Sequence, residues 1–102
     1  MHIPKTIRNQ LLTQPLIVGS WGAHKWSALD EYSLAFRVNG RKLNGIVVIK
    51  LDYGQDLYDI SFYSNKSFKD LLIKPKKKFD DIKGIYCDQM IEVIDYLIET
   101  DR

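Results

Sequence analysis

The chain has little of what site chemistry usually needs. Its 102 residues include one cysteine, Cys87, and two histidines, His2 and His24. A lone cysteine excludes an intramolecular disulfide and suits a reducing compartment. So few soft ligands, far apart in sequence, match no metal-ligand spacing, and neither a metal nor a cofactor is expected. No apolar run approaches the ~18 residues of a membrane span, and the first residues lack an apolar leader. The expected setting is therefore soluble and cytoplasmic. No Gly-rich phosphate loop, H-E-x-x-H, G-x-S-x-G or EF-hand pattern occurs. No catalytic residue is assigned, and an enzyme is not expected.

Strong charge is missing too. The net charge is +2, too small for a generally basic nucleic-acid binder, although a local basic patch is compatible with it. The balance is uneven. Residues 1–51 hold seven Lys/Arg and two Asp/Glu, and residues 52–102 hold eight and eleven, giving +5 and −3. The apolar fraction of 45% is ordinary for a folded domain. At this length the chain builds one core and one domain, residues 1–102.

What is present is a run of strand patterns from Tyr32 to Phe62. Tyr32, Leu34, Phe36 and Val38 alternate with Ser33, Ala35 and Arg37, the period of a half-buried strand. Asn39-Gly40 is a strong two-residue hairpin signal. It predicts Phe36 opposite Leu43 and Leu34 opposite Gly45, with Val47, Ile49 and Leu51 on the same core face. A four-residue loop, Asp52–Gln55, keeps parity with a third strand, so that Ile49 faces Tyr58 and Val47 faces Ile60.

The flanks read as follows. Pro4 to Thr13 is a short helix with Ile3, Ile7 and Leu11 on one side, ended by Pro15. Leu16 to Trp26 reads as a bent or bulged strand with Gly22 at the bend. Phe68 to Ile73 reads as a further strand, and residues 74–78 as a lysine-rich loop around Pro75. Ile85 to Glu99 is a helix whose stripe is Cys87, Met90, Ile91, Ile94, Leu97 and Ile98. On that stripe Cys87 is expected to be buried and inert rather than a nucleophile paired with His24 or His2. Asp56, Asp59, Asp80 and Asp81 are expected to satisfy local backbone groups.

The sum is an α+β fold: an antiparallel four- to five-stranded meander with N- and C-terminal helices packed on one face. The other face then carries Ile46 and Val48 with Ala35, rimmed by Arg37, Lys42, Asn44 and Lys50. An apolar centre with a polar rim marks a contact surface, with a second copy as the simplest partner. If a helix or the 65–79 segment covers that face, Ile46 and Val48 are core instead. A second candidate is Lys74, Lys76, Lys77 and Lys78, which would grip phosphates.

Trp21-Gly22-Ala23, Asn39-Gly40 with Asn44-Gly45, Asp56-Leu57-Tyr58-Asp59 and Tyr86-Cys87-Asp88-Gln89-Met90 resemble short hypothetical proteins of gut Bacteroides-type bacteria and their mobile elements. The resemblance spans Trp21 to Tyr96 and implies a bacterial cytoplasmic setting without implying an activity. Three readings follow in order. The first is a non-enzymatic module that binds protein, itself included. The second is a nucleic-acid-binding accessory of a mobile element. The third is a small enzyme or ligand-binding domain.

Overall fold

A computed structural model describes residues 3–40, 44–63 and 81–99. Two helices open the chain, α1 (Ile3–Leu11) and α2 (Pro15–Ser20). Five strands follow: β1 (His24–Asp30), β2 (Ser33–Asn39), β3 (Asn44–Asp52), β4 (Leu57–Tyr63) and β5 (Ile82–Ile85). A 3₁₀ turn (Cys87–Gln89) leads into the last helix, α3 (Met90–Glu99). The strands form one antiparallel sheet in the order β1-β2-β3-β4-β5. This is the expected α+β meander with terminal helices.

Alternation decides which sheet face meets the helices. Leu34, Phe36 and Val38, then Val47, Ile49 and Leu51, then Tyr58, Ile60 and Phe62 join one buried cluster. Ile7 and Leu11 of α1, Val18 of α2 and Met90, Ile94 and Ile98 of α3 complete it. Each such large apolar side chain contributes roughly 1.5–3 kcal/mol when fully buried. That burial holds helices which are too short to persist alone.

The register differs from the sequence reading, but the faces do not. Phe36 pairs with Val47 rather than Leu43, and Asn39 still belongs to β2, paired with Asn44. Asn39-Gly40 is therefore not a two-residue turn. The shift along β3 is four positions, an even number, so the same side chains face the core. Likewise Ile49 pairs with Ile60 rather than Tyr58, a shift of two. The loop has the expected length but lies one residue later, between paired Asp52 and Leu57. Asp52 fixes it. Its carboxylate accepts the Gly54 N–H at 3.2 Å, and its carbonyl accepts the Asp56 N–H at 2.8 Å. Asp56 takes up the reversal with φ +56°.

Leu16–Ser20 is helical, against the expected strand. Pro15 does not so much end α1 as begin α2. It occupies the first helical turn, where its missing N–H costs nothing and its fixed φ is already helical. The bend at Gly22 is real and lies between α2 and β1. Gly22 has φ +68°, and a Cβ there would sit 3.1 Å from the Asn39 Cβ. The Trp21 carbonyl accepts the Asn39 N–H at 2.6 Å, which closes this corner onto the end of β2. The bulge itself is one step further on. β1 gains one residue between the His24–Arg37 and Ser27–Ala35 pairs, and Lys25 carries φ +54°. The bulge lets Trp26 turn to the core side, where it stacks on Phe36 at 4.5 Å.

The C-terminal helix is shorter than its apolar stripe. Residues 82–85 form β5, with Gly84 at φ +72° absorbing one extra residue opposite β4. That φ is not helical, and Tyr86 remains extended. Cys87 therefore falls in the 3₁₀ turn and is exposed, which corrects its expected place in the core. The expected strand 68–73 lies outside the described residues.

Candidate partner-binding surface

The sheet face away from the helices was the expected contact surface. Ala35 and Ile46, at its centre, are completely buried, although neither belongs to the helix-side cluster. Ser33 beside them is buried as well. Val48 and Arg37 are half-buried, and Lys50 is exposed. Asn44 forms the first rung of β3 with Asn39. Lys42, Lys74, Lys76, Lys77 and Lys78 lie outside the described residues. The expectation of an open apolar centre is thus corrected. Ala35 and Ile46 are out of water, where the hydrophobic effect favours them, and present no surface to a partner.

The helical side offers a different surface. Trp21 is fully buried, and its indole N–H donates to the Asp95 carboxylate at 2.9 Å. This bond ties α3 to the α2–β1 corner. Between α2 and α3 lies a hollow of about 440 Å³, bounded by Gln14, Ile17, Asp88, Ile91, Glu92, Asp95 and Tyr96. A second hollow of about 570 Å³ borders it along α3, sharing Glu92 and Tyr96 and adding Ile82, Gln89, Val93 and Leu97. Tyr96 is 51% exposed. Leu16, next to Ile17 on α2, is 90% exposed. Partly open apolar side chains thus stand beside carboxylates along this side of the molecule.

The sequence reading missed this surface because it placed Leu16-Ile17-Val18 in a strand. The signal was Pro15, which opens helices as readily as it ends them. In the helix Val18 is buried and Ile17 packs half-buried against the core, so Leu16 is left outward.

Several polar side chains elsewhere bond to backbone groups. The Asp30 carboxylate accepts the Tyr32 N–H at 2.9 Å, and the Asp59 carboxylate accepts the Gly84 N–H at 3.2 Å. His24 Nδ1 lies against the Gly22 carbonyl. Among the described residues, no three His, Cys, Asp or Glu side chains gather as metal ligands. No described helix is long and apolar enough to cross a membrane. A smaller hollow at the other end of the sheet, about 410 Å³, has Tyr32 and Tyr53 on its wall with ring centroids 5.8 Å apart. Lys50, Asp52 and Asp59 there mix charges of both signs and single out no ligand class. Compared with known proteins, the chain matches no family model, no curated protein and no solved structure.

Proposed function

We propose that the chain is a non-enzymatic protein-binding module whose contact surface is the α2–α3 face. The observation that supports this is the hollow between the two helices, lined by half-buried Ile17 and Ile91 and exposed Tyr96, with the almost fully exposed Leu16 next to Ile17 in the chain. Exposed apolar clusters of this kind commonly mark contact sites. Aromatic side chains such as Tyr96 are enriched among residues that dominate binding.

The test begins with a photo-crosslinking residue at position 16 in native cells. The captured protein is then purified and re-bound in vitro. Leu16→Asp should weaken that binding about tenfold or more while leaving the melting transition within about half a kcal/mol, because the side chain contributes little to the core. A captured second copy, with a dimer that dissociates on Leu16→Asp, would identify the partner as the chain itself. Unchanged binding by both Leu16→Asp and Tyr96→Ala would remove this face from consideration.

A further inference from the structure

We infer that the α2–α3 groove receives a basic amphipathic helix from another protein; this inference rests on the protein-binding reading above. Glu92 and Tyr96, which border both hollows, stand on the outward crest of α3, opposite buried Met90, Ile94 and Ile98, so the hollows flank the helix and the trough is the one facing α2. α3 has ten residues, about 15 Å of helix, so a partner helix of roughly three turns would match it.

The chemistry of the trough selects the occupant. Its apolar parts are Ile17 and Ile91, with Tyr96 on the crest above them. Asp88 and Glu92 on its wall are exposed. Among the described residues lining either hollow there is no lysine, arginine or histidine. The described lining of the trough thus carries the carboxylates of Asp88, Glu92 and Asp95. Complementarity then asks for lysine or arginine flanking an apolar stripe.

The walls also select the conformation. They are side chains of Gln14, α2, the 3₁₀ turn and α3, so the trough presents no strand edge to an extended peptide. The sheet edges are poor alternatives. β1 is bulged in two places, and β5 has four residues interrupted at Gly84. A helix brings its own hydrogen bonds and needs only a groove for anchors at i, i+3, i+4 and i+7. The described helices of a second copy do not qualify. α1 buries Ile7 and Leu11, and α3 buries Met90, Ile94 and Ile98, within the chain's own core.

The probe is a fluorescein-labelled helical peptide of about 14 residues with leucines at those spacings and lysines on both flanks. Its twin carries glutamate for every lysine. Anisotropy titrations should show saturable binding of the lysine peptide and about tenfold or more weaker binding of the twin. Raising salt from about 50 to about 300 mM should narrow the gap. Asp88→Lys with Glu92→Lys should reverse the preference, whereas Glu31→Lys, a single charge reversal on an exposed turn, should leave it in place. Tyr96→Ala should weaken binding without altering the preference. Near-ultraviolet circular dichroism establishes that each variant keeps the native packing. Equal affinity for the two peptides, indifference to reversal at 88 and 92, or an equal effect of Glu31→Lys overturns the inference. Failure of the lysine peptide to bind also overturns it, while the Leu16 crosslinking experiment separately decides whether this face binds protein.

Discussion

Trp21 shows how much a single side chain organises. It stacks with Phe36 at 6.5 Å, Phe36 stacks in turn with Trp26, and the Arg8 guanidinium lies 5.6 Å from the Trp26 ring centre. Its only polar atom is the indole N–H, donated to Asp95. Asp95→Ala should cost about 1–3 kcal/mol in denaturant melts, because a buried donor loses this acceptor. Asp95→Asn retains an oxygen and should cost clearly less; equal losses would assign the effect to the carboxylate charge instead. Tyr58 is buried at the other side of the core, and burial pushes its phenol above the ordinary tyrosine value. Cys87 and Asp56 raise it further, and the hydrogen bond from its hydroxyl to Gln10 at 3.2 Å opposes them. The folded chain therefore holds this proton more tightly than the unfolded chain. Stability from this group is constant below about pH 10 and falls as pH rises from there toward the folded value. Tyr58→Phe should flatten that alkaline fall in urea midpoints, and an unchanged alkaline limb would place the effect elsewhere.

Elements differ in how far their residues announce them. The three central strands were legible because period-two alternation is a local property, and the even register shifts left every face unchanged. Ile3, Ile7 and Leu11 likewise announced α1, whose observed span Ile3–Leu11 lies within two residues of the expected one. α2 was not legible, since three consecutive apolar residues suit a strand or a helix and only their neighbours decide. The C-terminal stripe ran on through Cys87 because helical spacing continues whether or not the backbone follows it; Gly84 and extended Tyr86 delay the start of the α-helix to Met90. The α2–β1 corner gives a test at this scale. Gly22→Ala meets both an unfavourable φ and the Asn39 side chain, and should cost about 1–3 kcal/mol. A loss below about half a kcal/mol would show that the corner yields.

At the scale of the whole molecule, the question is what each sheet face does. Ile46 is as completely buried as Ile60, though only Ile60 belongs to the helix-side cluster. Ile46→Asp would place a charge where no water reaches, and should destabilise the monomer by about 3 kcal/mol or more in denaturant melts. A folded variant with weakened self-association would instead restore this face as an interface. With that face closed at its centre, the open apolar surface moves to the α2–α3 groove. The candidate site was therefore not legible in the residues first chosen for it. Its acidic wall was visible as the polar side of a helix, but Leu16 and Ile17 were assigned to a strand.

Sequence by itself determined the α+β class, the face of every central strand and the apolar stripe of the last helix. These follow from periods of 2 and 3.6, which need no knowledge of what lies opposite. The tertiary structure alone decided the hairpin registers, the helical state of residues 15–20, the exposure of Cys87 and the burial of Ala35 and Ile46. Each of these depends on which distant segment comes to lie against a residue, and burial is a property of that contact rather than of the residue.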